Sequence, residues 1–103
     1  MSTANGTIIQ TGPNSFEGKF TVNGAHYTYS GSSKADLPDF FSPNAVLNYI
    51  KAEDLRGEHS YKGVLGVRTG AIVFDNQASI NGDFTQRVFP AQYIEGSGKW
   101  TVA

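Results

Sequence analysis

Cysteine is absent from the chain. That excludes disulfide staples, thiolate metal sites and cysteine nucleophiles. It leaves the compartment open, because a domain of 103 residues can fold without covalent links. Runs of like charge are missing too. Eight Lys and Arg nearly balance nine Asp and Glu, for a net charge of −1. No basic stripe of the kind that displaces phosphate counterions is visible, so no nucleic-acid partner is expected. No apolar stretch approaches the ~20 residues of a membrane-spanning helix. Met1 to Gly6 carry neither the basic nor the apolar region of a secretory leader, so the sequence reads as a cytoplasmic protein or a mature secreted form.

Catalytic and cofactor signatures are equally scarce. His26 and His59 are the only histidines, and neither has the H-x-x-x-H or H-x-E spacing that places two ligands on one helix face. No metal or cofactor is expected. Gly96-Ser97-Gly98-Lys99 is not a phosphate loop, because Tyr93 stands where the upstream glycine belongs and Trp100 where Ser or Thr belongs. It reads instead as a hairpin loop. No G-x-S-x-G nucleophile elbow exists. Two neighbours on a strand point to opposite faces, so Glu58-His59-Ser60 cannot form a catalytic dyad in regular β structure.

What the chain does have is rings and glycine: seven Phe, five Tyr, one Trp and twelve Gly. Aromatics suit pleated, half-buried surfaces. Many glycines with few charged residues indicate many turns and few exposed helices. The strongest local signal is Asn23-Gly24, where both residues tolerate the positive φ of a type I′ turn. Period-2 segments flank it. The predicted register sets Val22 opposite Ala25, Phe20 opposite Tyr27 and Gly18 opposite Tyr29, with Gly18 making room for the Tyr29 ring. Lys19, Thr21, His26 and Thr28 fall on the wet face. Asn81-Gly82 is a second, weaker hairpin signal with a short first arm.

Other elements follow from turn chemistry and period. Residues 1–5 read as a frayed end, Thr7–Gln10 as a short strand and Gly12-Pro13-Asn14 as a turn. A helix is predicted from Ser42, with Ser42 as N-cap, Pro43 at N1, a Phe41–Val46 staple and a Val46, Leu47, Ile50 stripe, ending near Lys51 and by Gly57 at the latest. Thr69-Gly70 is expected to turn the chain so that Val67 faces Ile72 and Leu65 faces Phe74. Phe84, Gln86 and Val88 share a strand face that Phe89-Pro90 ends or places at an edge. Tyr93–Glu95 and Lys99–Val102 form a last strand pair. No internal repeat is visible.

The predicted fold is therefore all-β and mainly antiparallel, with one short helix, as a single domain. A small closed or nearly closed β-barrel is favoured, because closure removes exposed edges; a two-sheet β-sandwich is the alternative. Leu37, Phe40 and Phe41 are apolar without a period and read as a plug at a barrel mouth, or as a lid.

Three function classes remain. The leading one is a non-catalytic module that binds a small amphipathic ligand or a carbohydrate through Tyr27, Tyr29, Phe40, Phe41, Tyr61 and Trp100. The second is an interaction or assembly module forming a homodimer, through an edge near Phe89-Pro90 or through the Leu37–Phe41 loop. The third is a small-barrel enzyme of isomerase, cyclase or hydrolase type, pairing Asp39 or Glu17 with His59 or Tyr61.

Overall fold

A computed structural model describes residues 2–103. Eight antiparallel strands close into a barrel: β1 (Ser2–Gly12), β2 (Ser15–Val22), β3 (Ala25–Ser33), β4 (Phe41–Tyr49), β5 (Gly57–Leu65), β6 (Thr69–Phe74), β7 (Ser79–Asp83) and β8 (Gln92–Val102). Around the barrel the order is β1-β2-β3-β8-β5-β6-β7-β4. A sandwich is excluded by this closure. Within the order lie two Greek keys, β4-β1-β2-β3 and β8-β5-β6-β7, each a three-strand meander with the fourth strand returned beside the first. They join at two seams, β3 with β8 and β4 with β7. The two halves thus repeat in topology although their sequences do not.

The first hairpin forms as expected. Val22 faces Ala25, Phe20 faces Tyr27 and Gly18 faces Tyr29, and Asn23 and Gly24 take φ of 52° and 82°. Phe20, Val22, Tyr27 and Tyr29 are buried, while Lys19, Thr21 and His26 are exposed. Gly18 does not accommodate Tyr29, however; a Cβ there would meet Phe20, Ile8 and Ile80. The Tyr29 ring instead lies against Gly31, beside Phe16, and against Gly98.

Several expectations need correction. The N-terminus is not frayed from Ser2 onward, since Ser2, Thr3 and Ala4 pair with Tyr49, Asn48 and Leu47. The helix predicted from Ser42 is strand β4, in which Ala45, Leu47 and Tyr49 point inward with period 2. Asn44 and Asn48 are poor helix residues, and the β1 and β7 backbones on either side supply the hydrogen bonds a helix would make internally. Pro43 is tolerated because it falls in a bulge, between the pairs Gly6–Ala45 and Ile8–Ser42, and short of the β7 pairing that begins at Val46. Helical geometry survives only as a 3₁₀ turn, Ala52–Asp54.

Asn81-Gly82 makes no turn and lies within β7. Glycine is needed at 82 for another reason: a Cβ there would run into the Ser42 side chain and the Ala45 backbone across the β4 seam. Gly96-Ser97-Gly98 is likewise not a loop, and β8 is one continuous strand through it. The β5–β6 reversal uses Gly66–Arg68, closed by Gly66 N–H donating to Thr69 O at 2.9 Å. Leu65 therefore faces Gly70, and Tyr61 faces Phe74. This register differs from the predicted one by an even number of residues, so Leu65, Ile72 and Phe74 still point inward. Residues 84–91 form no strand. They fold over one barrel end through Phe84 N–H to Arg68 O and Val88 N–H to Val67 O, both 2.7 Å. Leu37 and Phe40 close the same end, as a plug would, with Leu37 N–H on Pro13 O at 2.7 Å. Phe41 is not part of it; as the first residue of β4 it faces outward. Leu55, after the 3₁₀ turn, is fully buried at the opposite end.

A single change tests the fit of rings against backbone. Replacing Gly98 by Ala drives a Cβ into Ser30 O and the Tyr29 ring, and should cost roughly 1–3 kcal/mol as overpacking. Ser97→Ala, on the exposed side of the same strand, should stay within about 0.5 kcal/mol. Urea unfolding of both variants is the measurement, and equal midpoints for G98A and the parent would contradict the close approach.

Candidate functional site

The interior is filled by the rings that the sequence offers as binding residues. Tyr27, Tyr29, Phe40, Tyr61 and Trp100 are all buried. Tyr29 packs on Phe74 at 4.7 Å and on Trp100 at 5.2 Å, and Phe16 meets Tyr61 edge-on at 5.1 Å. These contacts run between the two Greek keys. Each ring pair adds about 0.5–1.5 kcal/mol beyond its buried area. Phe41 stands apart, on the outer wall opposite Ile9 of β1. The structure therefore brings five of the six residues together as core, and leaves the sixth outside.

Phenol hydroxyls in this core need partners. Tyr29 Oη donates to His59 O and Tyr61 Oη to Ser32 O, each at 2.8 Å. Burial pushes the Tyr29 phenol well above its usual range, helped by the nearby Tyr61 and Asp75. Burial also raises Tyr61, with the Ser33 hydroxyl partly opposing it. The Trp100 indole N–H and the Ser42 hydroxyl are buried without a partner among the described residues.

The acid–base pairs considered from the sequence are not assembled. Glu17 sits 3.3 Å from Lys19, Asp39 is exposed, and the Tyr61 hydroxyl is spent on Ser32 O. His59 does meet a carboxylate, but that of Asp75: Nδ1 lies 2.6 Å from Asp75 Oδ1, and Nε2 lies 2.9 Å from Arg56 O. Asp75 Oδ2 accepts from the Ser60 amide at 3.1 Å and from its hydroxyl at 3.3 Å. Serine, histidine and aspartate are thus adjacent without forming a nucleophile–base pair. Ser60 Oγ bonds the carboxylate rather than the imidazole, and both imidazole nitrogens face oxygen acceptors. The cluster ties the Lys51–Arg56 connection to β5 and to the β6–β7 turn, where Asn76 Nδ2 also donates to Asp54 O at 2.9 Å. Desolvation works against the Asp75 carboxylate, but the Ser60 amide, His59 and the Ser60 hydroxyl hold it below the ordinary carboxylate range. Among the described residues no group of three or more His, Cys, Asp or Glu is placed to hold a metal ion.

The concave sites lie on the outer wall. One, of about 690 Å³, crosses β6, β5 and β8, within the usual ~300–1,000 Å³ range for small-ligand pockets. Its floor is Ala71 opposite Val64, beside Gly63; Val73 and Tyr93 flank it, and Lys62, Glu95 and Lys34 form the rim. Tyr93 is 88% exposed and Val73 55% exposed. Two further depressions, of about 480 and 550 Å³, lie on either side of β1 around Gly6. Sequence reasoning missed the apolar groove, although one signal for it was present. Ala71-Ile72-Val73-Phe74 is apolar on both faces, a pattern more typical of strands covered on both sides than of antiparallel strands with one wet face. For the assembly alternative, Leu37 and Phe40 are buried, so of the segments named from the sequence only Phe41 and Phe89 present large apolar groups outward.

Titration of Tyr29 and Asp75, two of the three shifted groups, gives opposite pH limits. Tyr29 stays neutral in the fold, whereas the unfolded phenol ionises near pH 10. Stability should be intact below that pH and fall as pH rises beyond it, with a shallower fall in Tyr29→Phe. Asp75 contributes stability above the unfolded carboxylate value, and this is lost as acid takes pH down through its lowered folded value. Asp75→Asn should flatten the acid limb. Urea midpoints between about pH 2 and 11 check both limbs, and unaltered limbs in the variants would refute the assignments.

Comparison of the chain with protein-family models, with curated proteins and with solved structures yields no match.

Proposed function

We propose that this protein is a non-catalytic binding module for a small amphipathic ligand, and that it binds on its outer wall rather than inside the barrel. The carrying observation is the groove over β6, β5 and β8, where apolar side chains line a concavity of ligand size on a face that antiparallel strands normally give to water. Tyr93 supplies a freely exposed aromatic face for stacking. Lys62, Lys34 and Glu95 supply polar groups at the rim. Of the rings named from the sequence, Tyr29, Tyr61 and Trp100 support the site indirectly, by packing behind β5, β6 and β8.

Ligand-observed NMR against a panel of amphipathic metabolites and saccharides tests this reading. Tyr93→Ala and Ala71→Trp both change exposed side chains, so the unfolding midpoint should hold within about 0.5 kcal/mol. Each should weaken binding by at least about fivefold, as expected for an anchor residue. A panel without any binder, or a binder indifferent to both substitutions, would reject the proposal.

A further inference from the structure

Resting on the groove reading above, we infer that the ligand class is a ring-bearing monoacid: an apolar body one or two rings wide with a single carboxylate or sulfonate. The dimensions come from the register. One row across the strands is Val73–Lys62–Glu95, and the next outward-facing row is Ala71–Val64–Tyr93. Rows two residues apart are separated by about 7 Å, and three neighbouring strands span about 10 Å. That footprint holds a ring system lying beside Tyr93. It is far smaller than the ~800 Å² per partner of a standard protein interface.

The charge comes from the rim. Lys34 Nζ lies 3.6 Å from Glu95 Oε1, so that carboxylate already has its cation. Lys62 is paired across the strands with Glu95 in register, yet has no carboxylate within 4.0 Å among the described residues. The next row toward the other barrel end is Ser60–Ser97, which is uncharged. Asp75 lies beyond Ser60, with its oxygens engaged by His59 and Ser60. The groove thus offers one uncompensated ammonium at the border of an apolar floor. An amphipath with one anionic group satisfies both, whereas a neutral amphipath satisfies only the floor.

Amide NMR titrations of the intact chain with 2-naphthoate and with neutral 2-naphthalenemethanol separate the two levels of the reading. The acid should bind roughly two- to fivefold more tightly than the alcohol, the range of one exposed ion pair. Lys62→Met should erase that preference and leave the alcohol's affinity unchanged. Salt near 1 M should erase it as well, since screening then acts within about 3 Å. Equal affinities for acid and alcohol, or a preference that survives K62M, would overturn the monoacid inference and leave the groove standing. No shift of β5, β6 or β8 amides with either probe at millimolar concentration would remove the groove reading, and this inference with it.

Discussion

An eight-stranded barrel has an interior just wide enough for side chains to fill, and here nine of the twenty-two buried apolar residues described are aromatic. The rings fit only where the wall gives up its own side chains. Gly31 lies against Phe16 and Gly98 against Tyr29, each so closely that a methyl group would collide. Large inward groups on one strand therefore depend on missing ones on another. Because Tyr29, Phe74 and Trp100 come from both Greek keys, the same packing joins the two halves along their seams. Most of this pairing is distant in sequence, as with Tyr29 and Trp100, so little of the core can form before the chain has closed its long loops.

That dependence explains what could and could not be read from residues alone. The Asn23-Gly24 hairpin was legible because its turn chemistry and its period-2 flanks are local and agree. Barrel closure was legible from the number of short strands, whose edges closure removes. Strand β4 was not, because Ser42-Pro43 and the Val46, Leu47, Ile50 spacing satisfy a helix locally, and only the β1 and β7 edges decide otherwise. Gly82, Gly96 and Gly98 were misread for one shared reason. A glycine that permits a turn and a glycine that permits close approach look the same in sequence, and only the neighbour across the strand tells them apart.

The rings offered as site residues lie mostly in the core. Aromatic residues were chosen for their binding capacity, but a small closed barrel uses that capacity on itself. Five of the six rings became structure. The recognition surface we propose is instead the outer wall, with Val64, Ala71, Val73 and Tyr93, apolar at positions whose alternation assigns them to solvent. The His59–Asp75–Ser60 cluster shows the same limit from the other side. Its composition suggests hydrolysis, while its hydrogen bonds describe a clasp between the Lys51–Arg56 connection and the barrel.

Trp100 is the sole indole in the chain and sits among Phe20, Tyr29 and Phe74, with its N–H unbonded. Its emission is accordingly a spectroscopic gauge of whether the two Greek keys are docked, blue-shifted while they are and red-shifted once water enters. Steady-state indole emission of the native chain therefore reports the cohesion of the two halves.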